Sequence, residues 1–187
     1  MSNILDDIIT REQWGARHQK KEFEPHKPVR IVVHHSYSPS TSQWRGVESM
    51  RGIQNYHMDK QNPPWSDIGY HLVIAPDGMY AGRPFDMIGA HSGPPPTGSK
   101  IKAVFGNRGS IGICVIGNYD VETVTPAVGF MLKRVVAELA QRFAIQPGNV
   151  FGHFESWSVP PKTCPGKNMA EYLGWAERFA KAFKTGK

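Results

Sequence analysis

The apolar residues of the chain fall into short runs that predict β-strands. The run at 28–33 is rich in β-branched residues, which is typical of strands. The runs at 69–74 and 79–83 flank a Pro-Asp-Gly turn, so we expect them to form a hairpin. Residues 110–117 are almost wholly apolar, a pattern that favours a strand covered on both faces. A short extended segment at 150–152 completes the predicted sheet.

Longer segments between and after these strands carry apolar residues at helical spacing. Over 42–60 the apolar residues recur every three positions, which predicts a first helix. A second helix begins at Thr125-Pro126 and ends near 147–148, and a third covers 168–184. Strands separated by helices predict an α/β fold with one central mixed β-sheet flanked by helices.

At 187 residues the chain has the usual length of a single domain. We expect residues 10–187 to form this domain and residues 1–9 to be a short leader. The sequence contains no run of about 18 apolar residues, so it predicts no membrane span. The start of the chain carries Asp6 and Asp7 but lacks a basic segment, so we expect no secretory signal peptide. The loop predicted over 92–109 is long enough to suggest a functional role.

Composition and charge narrow the function classes. Hydrophobic residues make up 40% of the chain, which argues against an intrinsically disordered protein. The net charge of +6 either serves solubility alone or attracts an anionic partner, such as nucleic acid, anionic lipid or an acidic wall polymer. The basic residues are dispersed, apart from the group at 18–21, so we expect no binding to nucleic acid. Two cysteines are too few for a disulfide framework.

Three residues with metal-binding side chains lie at or after the ends of predicted strands. His34 closes one strand, His153 closes another, and Cys164 lies in the loop that follows. One thiolate and two imidazoles are typical Zn²⁺ ligands, and three protein ligands leave the fourth tetrahedral position open, as in catalytic sites. The alternative is that both histidines are buried and hydrogen-bonded and that Cys164 is a small apolar residue of the core. Cys114 lies inside an apolar strand, and we expect it to belong to the core.

Six short motifs occur in order along the chain. They are ITREQWGAR at 9–17, VVHHS at 32–36, WSDIGYH at 65–71, PDG followed by GRP at 76–84, the segment 107–117, and GH followed by PKTCPG at 152–166. Together they resemble the zinc-dependent N-acetylmuramoyl-L-alanine amidases of type 2, a family that includes phage endolysins and peptidoglycan recognition proteins. The chain departs from the family pattern in a longer loop over 154–160.

The resemblance implies roles for five residues. His34, His153 and Cys164 match the zinc ligands of the family, which implies Zn²⁺ as the cofactor. Tyr70 and Lys162 match its catalytic pair, whose hydroxyl and ammonium groups are suited to stabilise the developing oxyanion of an amide. Many peptidoglycan recognition proteins have threonine at the position of Lys162, so the lysine favours the phage branch.

Four more residues are expected near the substrate groove that the resemblance implies. His35 follows a predicted ligand, and Trp65 offers an apolar face to a sugar ring or an alanine side chain. His91 opens the long loop, and Asn107 can hydrogen-bond a peptide or a sugar. The other histidines considered are interpreted as surface or structural residues: His18, His26 and His57.

The resemblance implies hydrolysis of the amide bond between N-acetylmuramic acid and the L-alanine of the peptidoglycan stem peptide. We expect a monomeric phage endolysin that binds peptidoglycan, stays in the host cytoplasm and reaches the wall through a holin. The alternatives are a recycling amidase of a bacterial cytoplasm and a recognition protein that binds peptidoglycan without cleaving it. Cys164 favours the enzyme, since receptors that do not cleave usually lack this cysteine.

Overall fold

A six-stranded β-sheet forms the centre of the computed structural model, which describes residues 3–95, 97–158 and 162–184. In chain order its strands are β1 (Ile8–Ile9), β2 (Arg30–His35), β3 (Leu72–Ala75), β4 (Gly78–Ala81), β5 (Ser110–Val115) and β6 (Val150–Gly152). The order within the sheet is β1-β4-β3-β5-β2-β6, with β3 and β4 antiparallel and the other neighbours parallel. This confirms the predicted α/β fold with a central mixed sheet.

The helices flank this sheet. The α-helices are α1 (Val47–Asn55), α2 (Pro126–Arg142), α3 (Lys167–Tyr172) and α4 (Ala176–Lys184). A π-helical turn, Tyr56–Lys60, continues α1, and short 3-10 helices cover Ile4–Asp7, Thr41–Gln43, Pro147–Asn149 and His153–Glu155. None of the helices in the described ranges combines the length and the hydropathy needed to cross a bilayer.

Both faces of the sheet are buried. On one face, Ile31 of β2 belongs to the same apolar cluster as Leu132 of α2. On the other face, Val73 of β3 clusters with Met50 of α1. Strand β5 lies between β3 and β2, and every one of its residues is buried, which confirms the prediction of a strand covered on both sides.

Two predicted boundaries near α1 and β3 differ from the structure. The helix predicted over 42–60 begins only at Val47, because Gly46 adopts a φ of 59° that interrupts the helical path. The strand predicted from residue 69 begins at Leu72. Before Leu72 the pairing is irregular. The carbonyl of His71 accepts a hydrogen bond from Gly82 N–H, and that of Tyr70 accepts one from Arg83 N–H, just after β4. Tyr70 therefore precedes the strand that was predicted to contain it.

Two further boundaries differ in the second half of the chain. The helix predicted over 168–184 is two helices, because Gly174 adopts a φ of 72°, a left-handed conformation typical of helix C-termini. Helix α2 ends at Arg142, earlier than predicted, and Ala144 with a φ of 53° turns the chain away. Both helices thus end where the backbone leaves the helical region.

The segment that the sequence assigns to a leader contacts the domain. Ile4 is buried in the apolar cluster that contains α2, and β1 pairs in parallel with β4 at the edge of the sheet. Residues 3–9 therefore pack against the sheet, while the boundary between leader and domain stays a prediction. Residues 1–2 of the predicted leader and 185–187 of the predicted domain lie outside the described residues.

Candidate metal centre

Three donor side chains converge at the carboxyl ends of two neighbouring parallel strands. His34 lies near the end of β2, and His153 directly follows β6. Because Val33 pairs with Gly152 in a parallel register, the residues after them emerge at the same edge of the sheet. Cys164 reaches this edge from the loop before α3, and the ligand atoms of the three residues all lie within 4.8 Å of one another. The structure thus brings together the three predicted ligands.

The sulfur of Cys164 is buried and hydrogen-bonded. The backbone N–H of His35 donates to Cys164 Sγ at 3.4 Å, and His34 Nδ1 lies 3.8 Å from the same sulfur. Burial raises the pKa of the thiol to about 12, although the His35 N–H and the charge of Lys162 act in the opposite direction. A divalent cation bound here has to displace the thiol proton, because only a thiolate is a strong ligand.

Burial also keeps the two imidazoles neutral. It lowers the pKa of His34 well below the ordinary value and the pKa of His153 to about 4, and neighbouring basic side chains add to the effect. A neutral imidazole has a free lone pair, which metal coordination requires. One thiol and two neutral imidazoles fit Zn²⁺, whereas Mg²⁺ and Ca²⁺ prefer oxygen ligands.

The three donors line a groove with a volume of about 1280 Å³, and Tyr70 and Lys162 line the same groove. The ring centroid of Tyr70 lies 5.4 Å from that of His34. Burial raises the pKa of Tyr70 well above its ordinary value, and the neighbouring thiols of Cys114 and Cys164 add to the effect. Lys162 is exposed, and its charge adds to the effect of burial on the pKa of His153. The predicted catalytic pair is therefore next to the predicted ligands.

Cys114 is a core residue that also borders the groove. It is fully buried in a cluster with Trp14, as the sequence predicts. Its partner across the strand pair is His34, so both side chains lie on the same face of the sheet. Both Cys114 and Cys164 are free thiols. Cys114 therefore contributes to the wall of the groove beside Tyr70.

The four residues predicted to contact substrate lie in different environments. His35 and Trp65 line the groove, although one face of Trp65 is covered by the ring of His57 at a centroid distance of 4.5 Å. His91 also borders the groove, but it is buried and both its ring nitrogens contact protein atoms. Asn107 is not among the groove-lining residues, and its side chain accepts a hydrogen bond from a backbone N–H of its own long loop.

Several groove residues escape prediction from the sequence. His57, interpreted as a surface or structural residue, is buried and lines the groove. Arg45, Ser49 and Tyr56 line it from α1 and its flanking residues. Their helical spacing is a signal that could have identified them. Tyr37 has no such signal, because it is placed by a turn in which its φ is 61°.

The chain is thus an α/β protein with a candidate metal centre. Three side chains of types that bind metals converge in a groove at the carboxyl edge of its mixed sheet. Ligand sites of α/β sheets commonly lie at this edge. The model of the N-acetylmuramoyl-L-alanine amidase family, Amidase_2, matches residues 24–167. The chain therefore belongs to this amidase family.

Peptidoglycan recognition proteins are similar to the chain over most of its length. Peptidoglycan-recognition protein SC2 of Drosophila simulans is 30% identical over 166 residues, which are 87% of this chain and 82% of that protein. Peptidoglycan-recognition protein LB of Drosophila melanogaster is 33% identical over 175 residues, 90% of this chain and 68% of that protein. The solved structure of Drosophila PGRP-LB superposes with a TM-score of 0.69 at 31% identity and covers 90% of this chain and 93% of its own.

Proposed function

We propose that this protein is a zinc-dependent N-acetylmuramoyl-L-alanine amidase that cleaves peptidoglycan between N-acetylmuramic acid and the L-alanine of the stem peptide. The convergence of His34, His153 and Cys164 beside Tyr70 carries the proposal. Recognition of a wall fragment alone needs no such set of donors. Membership in the amidase family supports the same activity.

The donor set fits Zn²⁺, with His34, His153 and Cys164 as the residues that would hold it. When bound, Zn²⁺ lowers the pKa of a water molecule to about 7 and so makes a nucleophile available at neutral pH. The remaining contributions come from the protein. The groove presents the substrate amide to the donors, of which His34 and Cys164 are buried and His153 is partly exposed.

Tyr70 and Lys162 are proposed to donate hydrogen bonds to the carbonyl oxygen of the substrate amide. Negative charge develops on this oxygen as water attacks, and donors that are already in place stabilise it. The hydroxyl of Tyr70 is protonated at neutral pH, and burial raises its pKa further above the ordinary value. Lys162 adds a positive charge at the rim of the same groove.

The groove suits a glycan that carries a short peptide. Tyr37, Tyr56 and Trp65 offer aromatic surface to sugar rings or alanine methyl groups, and Arg45 can pair with a peptide carboxylate. A PGRP-LB variant has been solved in complex with tracheal cytotoxin, and PGRP-LE has been solved with the same ligand, a monomeric diaminopimelic acid-type peptidoglycan. We extend this class of ligand to the present chain, as a substrate.

We also propose that the protein serves as a phage endolysin and acts as a monomer. Lys162 supports this role, since many recognition proteins have threonine there, and the net charge of +6 attracts an anionic wall. In this role the protein accumulates in the host cytoplasm until a holin opens the membrane. Permeabilised bacteria should lyse when the protein is added, and cells that express it without a holin should stay intact. Lysis of the holin-free cells would contradict the role.

The amidase activity is tested by the chemistry of the product. Purified peptidoglycan should gain free L-alanine amino termini and no reducing ends, as measured by amino-group labelling and mass spectrometry. Cys164→Ser should abolish this release, because serine is a poor zinc ligand compared with a thiolate. The exposed His18 provides a matched control, and His18→Gln should keep the wild-type rate. Binding of wild-type protein to the wall without release would favour recognition without cleavage.

A further inference from the structure

A chain of hydrogen bonds runs from the backbone of β5 to the candidate metal ligand His34. The Nε2 atom of His91 lies 3.3 Å from the carbonyl oxygen of Ser110, and its Nδ1 atom lies 3.0 Å from Nε2 of His34. The other ring nitrogen of His34, Nδ1, faces Cys164 Sγ at 3.8 Å. Both histidine side chains are buried, so water does not compete for these contacts.

The direction of each hydrogen bond follows from the backbone. A carbonyl oxygen can only accept, so Nε2 of His91 carries a proton and Nδ1 of a neutral His91 has the free lone pair. That lone pair accepts a hydrogen bond from His34 Nε2–H, which leaves the lone pair of His34 on Nδ1. The hydroxyl of Ser92 lies farther from the same His91 nitrogen, at 3.2 Å. Ser110 therefore selects, through His91, the His34 nitrogen that faces Cys164.

We propose that His91 is a positioning residue that fixes the tautomer and the ring orientation of His34 for metal binding. The proposal rests on the zinc site put forward above, and it replaces the substrate contact that the sequence suggests for His91. Histidine ligands commonly donate their second ring N–H to a carboxylate, a backbone carbonyl or water. Here a second imidazole, itself bonded to a backbone carbonyl, is the acceptor.

The fold holds the His91 ring in a closely fitted position. A Cβ atom at Gly112 of β5 would lie 2.4 Å from two ring atoms of His91, so this strand position has no room for a side chain. The loop after His91 is tied back by Asn107, whose Oδ1 accepts a hydrogen bond from Ser92 N–H at 2.6 Å. The ring is thus confined by a strand on one side and by its own loop on the other.

Two substitutions of His91 separate its role as a hydrogen-bond acceptor for His34 from its role as a ring that fills space. His91→Phe keeps an aromatic ring but removes the acceptor, so zinc should bind about 10- to 100-fold more weakly. His91→Asn keeps an acceptor oxygen near the place of Nδ1 and should recover most of the affinity. Zinc affinity is measured by competition with a chromogenic chelator, and circular dichroism and Tm verify that each variant is folded.

Gly112→Ala tests the same arrangement without changing a polar group. Its new Cβ atom collides with the His91 ring, so zinc affinity should fall as it does in His91→Phe. Gly106→Ala is the matched control, because a Cβ atom there would lie 3.6 Å from its nearest neighbour, an ordinary contact, and zinc affinity should not change. Co²⁺ in place of zinc gives a second readout. The visible absorption of its complex should change in His91→Phe and Gly112→Ala but not in Gly106→Ala.

The outcomes distinguish this role from the amidase activity. Equal zinc affinity in wild type and a folded His91→Phe would overturn the positioning role and leave the amidase proposal standing. An Asn variant that binds zinc as weakly as the Phe variant would also overturn it, because the ring and not the acceptor would then matter. If the variants lose zinc affinity as expected but the wild-type protein does not cleave peptidoglycan, the positioning role is supported and the amidase activity is overturned. A wild-type protein that binds no zinc would overturn both.

Discussion

At the scale of residues, the groups around the candidate metal centre divide by what burial does to them. Burial lowers the pKa of His34 and His153, so both imidazoles present lone pairs. Burial raises the pKa of Tyr70, which further disfavours loss of the hydroxyl proton that it can donate. Burial thus leaves lone pairs on the two imidazoles for the proposed metal ion and a hydroxyl proton on Tyr70 for the proposed contact with the oxyanion.

Removal of either proposed oxyanion donor should slow cleavage and leave the metal in place. Tyr70→Phe and Lys162→Ala should each lower kcat by about 10²–10³, the usual cost of losing one such donor. KM for a soluble muramyl peptide should change much less, because the walls of the groove are intact. Steady-state kinetics and zinc analysis of the purified variants check both statements. Wild-type rates in both variants would contradict the assigned roles, and loss of zinc would indicate a structural role instead.

The sequence predicts site residues where their position follows from a local pattern. His34 and His153 stand at the ends of short extended runs, and strands that end there place both at an edge of the sheet. The approach of Cys164 and the contact between His34 and His91 depend on the order β5-β2-β6, which no local pattern encodes. For that reason His91 could be recognised as a residue near the groove but not as a partner of a ligand.

At the scale of elements, α4 fastens the turn that carries His153. Phe154, the next residue, is buried and lies 5.1 Å from the ring of Phe179 in α4. On the same turn, Glu155 forms an ion pair with Arg178 at 2.5 Å. The C-terminal helix therefore contacts both residues that follow the predicted ligand.

Loss of the Phe154 ring should destabilise the protein strongly. Phe154→Ala should lower the free energy of unfolding by about 3–5 kcal/mol, because the ring is buried and its removal leaves a cavity. Phe130→Ala is the matched control, since Phe130 of α2 is 62% exposed and should cost no more than about 0.5 kcal/mol. Urea unfolding of both variants measures the difference. A cost for Phe154→Ala as small as that of the control would show that α4 does not secure this turn.

Secondary-structure elements were predictable from the sequence where one local property of their residues decides the structure. Strand β5 is almost wholly apolar, a pattern that favours the buried central position it occupies. Thr125 accepts a hydrogen bond from Val128 N–H and caps α2, as a Thr-Pro start predicts. The late start of β3 was not predictable, because tertiary contacts decide the pairing around Tyr70. The break at Gly174 was overlooked although glycine after the last turn of a helix is a local stop signal.

At the scale of the whole molecule, buried neutral histidines link stability to pH. Backbone N–H groups donate to Nδ1 of three of them, His35, His57 and His71. Burial lowers the pKa of His57 and of His71 to about 4, from an ordinary value of 6.5. Between these values the unfolded chain binds more protons than the folded one, so the free energy of unfolding falls as the pH drops.

Replacement of His57 should remove its share of this acid sensitivity. The contribution of His57 to the free energy of unfolding is complete above about pH 6.5 and falls as the pH drops, by about 2 kcal/mol between pH 7 and 5. The fall levels off below about pH 4. His57→Gln should therefore show a shallower decline of stability over this range, while His18→Gln, at an exposed site, should follow wild type. Urea titrations at several pH values provide the measurement. An unchanged slope in His57→Gln would contradict the neutral buried state.

The proposed requirement for one metal ion held by His34, His153 and Cys164 is tested most directly by reconstitution. Protein stripped with a chelator is titrated with zinc while the release of L-alanine amino termini from peptidoglycan is followed. Activity should be absent in the stripped protein, rise linearly with added zinc and level off at one zinc per chain. Cys164→Ser should bind no zinc in this range, and Cys114→Ala should bind it normally. Activity that survives removal of zinc, or full zinc occupancy in Cys164→Ser, would contradict the proposed zinc site.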